Sequence, residues 1–147
     1  MNRLNRTSFA ILALPLSINA VLSLLVGFNA TFRINIGYIF WFPLVLSLLM
    51  FIGVGYLLVK RGHDFGFPTL ATIGLLFGGI FTGPGFYLII LFYMFLKGND
   101  KTNEYGEIPQ INYSSFWNNP VVLTVISLTI TITPWILYIV FKLIRID

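Results

Sequence analysis

The sequence predicts an all-α polytopic membrane protein, a small bundle of four membrane-embedded helical segments with the third interrupted at 82–85. Two observations carry that prediction. Of its 147 residues, 57% are hydrophobic and only 10% are charged, where a soluble domain has about 45–50% and about 25%. A soluble chain of this size buries only about two-thirds of its surface and could not hide so much apolar material. The charges are also clustered. Between the clusters lie four stretches without a formal charge, residues 7–32, 34–59, 65–96 and 108–141, which are 26, 26, 32 and 34 residues long. About 20 apolar residues suffice for a helix to cross the hydrocarbon core. Backbone groups in lipid must bond within their own segment, which makes each stretch helical. None shows the alternation of an outer-membrane strand. With no cysteine in the chain, a disulfide scaffold, a thiolate metal site and a thiol nucleophile are all excluded.

The first span is expected over about 8–27, behind a leader holding Arg3 and Arg6. That leader resembles a secretory signal, but its small-residue exit, Ile18-Asn19-Ala20, has bulky Ile18 where a small side chain is wanted, so an uncleaved anchor is expected. The second span covers about 36–59, with Tyr38, Trp41 and Tyr56 placed for the membrane–water interfaces. Pro43 falls in its first turns, where a missing N–H does least harm. In the third stretch Pro68 opens a helix and Lys97 closes it, while Thr82-Gly83-Pro84-Gly85 breaks the middle. The two halves would be roughly 22 and 18 Å long, too short to span singly. They form either one long kinked span, the more ordinary outcome, or a re-entrant hairpin. A polar connector over 98–119 leads to a fourth span at about 121–143, rich in threonines whose hydroxyls are expected to bond back to a helix. All of this makes one helical membrane domain, 1–147.

Basic residues in short loops set orientation. With four full spans, Arg3, Arg6, Lys60, Arg61, Lys142 and Arg145 lie on the N-terminal side, against Arg33, Lys97 and Lys101. With a re-entrant third element, Lys97 and Lys101 exchange sides with Lys142 and Arg145. Either arrangement puts the N-terminus in the cytoplasm.

The most pointed cluster is Lys60-Arg61-Gly62-His63-Asp64-Phe65-Gly66. A histidine beside an aspartate suggests acid–base chemistry, but neighbours in sequence do not face each other on a helix. No second histidine completes a metal site, and no serine sits in a nucleophile elbow. The plainer expectation is a turn in which Asp64 caps the next helix and pairs with Arg61 or Arg6, while the basic side chains meet headgroups. A net charge of +4 scattered over loops does not describe a nucleic-acid surface. In the connector, Gly98 is expected to stop the third helix. Asn103 closes a turn and Gly106 permits a bend before Pro109. Tyr105 is presented as an interfacial anchor.

Three of these clusters, in order, resemble the bacterial inner-membrane domain-of-unknown-function family 805, the YhaH-like proteins. The leader has Arg3, Arg6 and Phe9 at the family's spacing; Arg61, His63, Asp64 and Gly66 match its second motif; Gly98, Asn103, Tyr105, Gly106 and Pro109 match its third. The resemblance covers about 1–109 and makes the last span an addition. The chain departs from it at Asn2, where the family has glycine, and after Gly66, where Phe67-Pro68-Thr69-Leu70 replaces a basic, Ser, Gly and Trp run. The resemblance implies a small bacterial cytoplasmic-membrane protein and implies no activity.

The expected function is therefore non-enzymatic, without cofactor or metal: binding of lipid headgroups or a partner membrane protein at the cytoplasmic interface. The partner could also be a second copy of the chain, and nucleic acid is not expected. A channel or transporter using the broken third helix and the Thr-rich fourth span is the alternative, weakened because the spans carry no ionisable group. If the third stretch returns to its own side, residues 98–109 meet Arg6 and His63 in one joint site. If it spans, no such site exists.

Overall fold

A computed structural model describes residues 4–32, 37–82, 84–99, 101–109 and 119–144, the side chains of 28–32, 37–40, 84, 141, 142 and 144 excepted. Five helices follow one another: α1 Arg6–Phe32, α2 Gly37–Phe65, α3 Thr69–Phe81, α4 Pro84–Phe95 and α5 Pro120–Ile144. No strand occurs among the described residues. Three helices, α1, α2 and α5, are long and apolar enough to cross a membrane, while α3 and α4 are shorter apolar helices. This is a helical membrane bundle. Its outward side chains, such as Leu48, Leu70, Phe81 and Phe95, are large, apolar and exposed.

Asn5 starts α1 by accepting the Ser8 N–H at 2.7 Å, which satisfies one orphan donor of the first turn. Pro15 lies inside α1 and deprives the Ile11 carbonyl of its helical donor. In lipid such a carbonyl is costly. Ser127 of α5 supplies the missing donor, its Oγ lying 2.9 Å from that oxygen. Two turns further on, Trp135 Nε1 donates to Asn19 Oδ1, and Asn19 Nδ2 donates to the Pro15 carbonyl. The two links advance together along both chains, so α5 runs parallel to α1. Helix α2 is antiparallel to α1: Leu4 N–H bonds to the Lys60 carbonyl at one end, and Ser47 Oγ to the Ala20 carbonyl at 2.9 Å farther along.

Helices α3 and α4 settle the choice the sequence left open. Thr72, in the first turn of α3, accepts the Tyr93 hydroxyl, from the last turn of α4, at 3.3 Å. End-to-end stacking would hold these residues about 30 Å apart. At the other end, a Cβ on Gly79 would lie 3.0 Å from Phe86 Cα, so only glycine lets the arms meet. The third element is thus an antiparallel hairpin that returns to the end of the bundle it left, in place of the single kinked span that is more ordinary for a broken hydrophobic run. Thr82 makes the apex tolerable by bonding to the Gly78 and Gly79 carbonyls. The core lies between α1, α2 and α4 and is built from Phe9, Ala13, Val54, Leu57, Leu58, Phe86, Ile90 and Tyr93.

Candidate functional site

The start of α1, the end of α2, the start of α3 and the end of α4 all lie at one end of the bundle. Helix α2 does not stop near Val59 but continues through the His-Asp cluster to Phe65. It ends in a Schellman turn: the Phe67 N–H bonds to the Gly62 carbonyl and the Gly66 N–H to that of His63. Gly66 there has φ +82°, a conformation other residues adopt only with strain. Gly62 is needed for a different reason, since a Cβ would lie 2.4 Å from Thr72 Oγ1.

Arg61 is 1% exposed and Asp64 3%. Both sit on one face of the last turns of α2, three residues apart, and form an ion pair. The guanidinium also reaches three backbone carbonyls. Its Nε donates to Tyr93 at 3.1 Å, its Nη1 to Leu4 at 3.3 Å and its Nη2 to Leu96. Helix α4 leaves its last carbonyls without helical donors, and Arg61 donates to them while fastening the start of α1. The Phe65 ring lies under the guanidinium, 4.5 Å from Cζ. Asp64 does not cap α3 as the motif suggested. Pro68 holds the N-cap position of that helix in an extended conformation, with no side-chain hydrogen bond. Asp64 is still inside α2, turned back one helical turn onto Arg61.

The connector packs over this pair. The Asn99 N–H bonds to the Asp64 carbonyl at 2.8 Å. Helix α4 ends at Phe95, before Gly98, and Gly98 is not among the positive-φ glycines. Its role is clearance, because a Cβ would lie 2.0 Å from Asp64 Oδ2. Asn103 Nδ2 donates to the His63 carbonyl at 2.8 Å, and its Oδ1 accepts the Tyr105 N–H at 3.0 Å, the turn expected of it. Backbone bonds between Asn103 and Gly106 close the loop, with Gly106 at φ +122°. The Tyr105 ring is not spread in the interface. It lies flat on His63, centroids 4.0 Å apart and planes 1° from parallel. A hydrogen bond with Glu104, then partial desolvation and the same carboxylate's charge, raise the pKa of the Tyr105 hydroxyl. His63 Nε2 is 3.0 Å from Thr69 Oγ1.

Beside the pair is a cavity of about 350 Å³, walled by Asn5, Arg6, Arg61, Asp64, Lys97 and Gly98, with Ile108 and Pro109 of the connector closing one side. Its described walls carry three basic side chains and one carboxylate. Asn5 Nδ2 is buried there without a hydrogen-bond partner.

A family model described as a protein of unknown function, DUF805, matches residues 1–107. The chain belongs to the DUF805 family. No curated protein and no solved structure matches it. The DUF805 match ends before α5, the helix that the resemblance treats as an addition. Of the residues in the three DUF805 motifs, the structure brings Arg6, Arg61, His63, Asp64, Gly66, Gly98, Asn103, Tyr105, Gly106 and Pro109 to this one end. Phe9 lies in the core beneath, 6.4 Å from the Tyr93 ring. Arg3 lies outside the described residues. The motif reading missed Asn5, Lys97, Tyr93 and Thr72. Asn5 was legible as a capping residue before a long apolar run, and Lys97 as the only charge between the hairpin and Gly98. Nothing local marked Tyr93 or Thr72.

Among the described residues no group of His, Cys, Asp and Glu could hold a metal ion. The histidine does not face the aspartate for proton relay: His63 is engaged by Thr69 and Tyr105, Asp64 by Arg61. What the arrangement offers chemically is a small cavity walled by three basic side chains and one carboxylate, with a recessed amide donor, at the level where apolar helices end.

Proposed function

We propose that this is a non-enzymatic multi-pass protein of the bacterial cytoplasmic membrane whose cavity binds an anionic lipid headgroup at the cytoplasmic interface. The observation that carries this reading is the gathering of three basic side chains, Arg6, Arg61 and Lys97, with one carboxylate, Asp64, around a cavity at the helix ends. Headgroup phosphates lie at that level in a bilayer. Orientation supports the same reading. With the hairpin returning, the loops on the N-terminal side carry Arg3, Arg6, Lys60, Arg61, Lys97 and Lys101, and those opposite carry Arg33, Lys142 and Arg145, the asymmetry of a cytoplasmic N-terminus.

The transport alternative gains no comparable support. Thr124 and Thr129 are exposed on α5 and bond to the Pro120 and Val125 carbonyls of their own helix, so they turn outward and line no polar path. The larger groove along the hairpin, about 740 Å³, is walled by Gly74, Leu75, Gly78, Leu88 and similar residues, a surface for acyl chains.

The test is to neutralise two of the basic side chains of the cavity, Arg6→Gln with Lys97→Gln, and measure phosphatidylglycerol carried through purification by native mass spectrometry. At about 1 kcal/mol per basic residue near a headgroup, retention should fall roughly thirtyfold. Unchanged retention would count against the headgroup reading and favour a protein partner.

A further inference from the structure

Asn5 carries a donor that the fold does not use. Its Oδ1 accepts the Ser8 N–H at 2.7 Å and so caps α1. Its Nδ2 is buried without a hydrogen-bond partner, at the wall of the cavity that Arg6, Arg61 and Lys97 also line. The amide cannot escape this by turning over, because Nδ2 would then meet the Ser8 N–H donor to donor. Nor is the backbone free to carry it away. Leu4, the residue before it, is fastened to the end of α2 on both sides: its N–H bonds to the Lys60 carbonyl at 3.1 Å, and its carbonyl accepts Arg61 Nη1 at 3.3 Å. An aspartate or a serine would cap α1 as well as asparagine does, and neither would bury an unused N–H. Native chains seldom carry a buried donor without a partner, because its desolvation is left uncompensated. Capping accounts for the oxygen of this side chain and leaves its nitrogen to a group from outside the chain.

That group has to be an acceptor, since an ammonium or any other pure donor cannot meet an N–H. An oxygen bearing negative charge suits the place best. Hydrogen bonds to ionised acceptors are the stronger ones, and the basic side chains of Arg6, Arg61 and Lys97 stand around the same cavity. We propose that Asn5 Nδ2 is a binding donor, held ready for a phosphoryl oxygen of the ligand. This rests on the headgroup reading above and deepens it by naming the uncharged residue that grips the ligand. Two sources carry such an oxygen, a phospholipid headgroup and free phosphate.

The experiment compares the full chain with Asn5→Asp and Asn5→Ser. It reads phosphatidylglycerol carried through purification by native mass spectrometry, and the melting temperature after delipidation. Both substitutions keep a cap oxygen. The aspartate is isosteric and sets an anionic acceptor where the donor was, while the serine removes the amide nitrogen without adding charge. A hydrogen bond to a charged group corresponds to about tenfold or more in affinity. Retention should therefore fall about tenfold in Asn5→Ser and further in Asn5→Asp. Delipidated Asn5→Ser should melt no lower than the parent chain, since its cap remains and its unused donor is gone. Retention that falls only together with the melting temperature would make Asn5 a structural cap and overturn the proposal. Full retention in Asn5→Asp would also overturn it; the headgroup reading then stands if Arg6→Gln with Lys97→Gln loses the lipid, and falls if that protein retains it too. Inorganic phosphate titrated into the delipidated chain separates the sources. Phosphate binding that Asn5→Ser weakens supports the donor and assigns a soluble anion; loss of phosphatidylglycerol in Asn5→Ser without phosphate binding supports it and assigns a lipid.

Discussion

Arg61→Met should abolish the folded protein, or lower its stability by about 3–5 kcal/mol, the range for removing one member of a buried ion pair. The cost has two parts. Asp64, 3% exposed, is left as a buried charge without its counter-ion. The Leu4, Tyr93 and Leu96 carbonyls also lose their donor together, releasing the start of α1 and the end of α4 from α2. Arg61→Lys should rescue little, because one ammonium on a flexible stem cannot serve the divergent acceptors that a planar guanidinium reaches at once. Asp64→Asn should be milder, since the guanidinium keeps its three carbonyls. Thermal unfolding in detergent, followed by loss of monodisperse protein, checks the order Arg61→Met, then Arg61→Lys, then Asp64→Asn. Equal stability of Arg61→Met and the parent chain would remove Arg61 from the centre of the fold.

The second large effect is expected at Gly98. A Cβ there would meet Asp64 Oδ2 at 2.0 Å, and that oxygen is held in place by Arg61. The carboxylate could yield only by breaking its ion pair, and the backbone only by lifting Asn99 from the Asp64 carbonyl. Overpacking of a filled site costs about 1–3 kcal/mol, and a strained ion pair adds to it. Gly98→Leu should therefore approach the loss expected of Arg61→Met, while Gly74→Leu, where a Cβ meets nothing within 4 Å, should be close to neutral. Paired melting curves of the two glycine variants compare the packed connector with an open position on α3. A destabilised Gly74→Leu beside an unaffected Gly98→Leu would mean that the connector does not pack on the Asp64 carboxylate.

The charge-free runs made the helices legible because lipid leaves a long apolar segment no other way to satisfy its backbone. The interruption at 82–85 was equally plain, but its consequence was not. A glycine–proline break allows a kink or a reversal, and the reversal is decided by contacts remote in sequence, Thr72 with Tyr93 and Gly79 with Phe86. The site followed the same division. Arg61, His63 and Asp64 stood out by their chemistry in an apolar chain. That Asp64 would turn back onto Arg61 instead of capping α3 depended on α2 running six residues past the expected end of its span. Glycine at 98 reads as a helix stop in sequence, yet its reason lies in a carboxylate thirty-four positions earlier. Gly106, by contrast, needs its positive φ for purely local reasons and was readable as a bend. The link from Ser127 to the carbonyl freed by Pro15 could be anticipated only in part: a proline in a span implies an orphan oxygen, but not which helix will answer it.

The joint site requires the connector to lie at the same end of the bundle as the start of α1, and the headgroup proposal requires that end to be cytoplasmic. The chain has no cysteine, so Thr7→Cys and Thr102→Cys, both at exposed positions, can be introduced singly without background. Each is treated in intact cells with a membrane-impermeant maleimide, and again after the membrane is opened. The account predicts that both stay unlabelled in intact cells and that both label after permeabilisation. Labelling of Thr102→Cys in intact cells while Thr7→Cys remains protected would put the connector across the membrane from α1's start and dissolve the joint site.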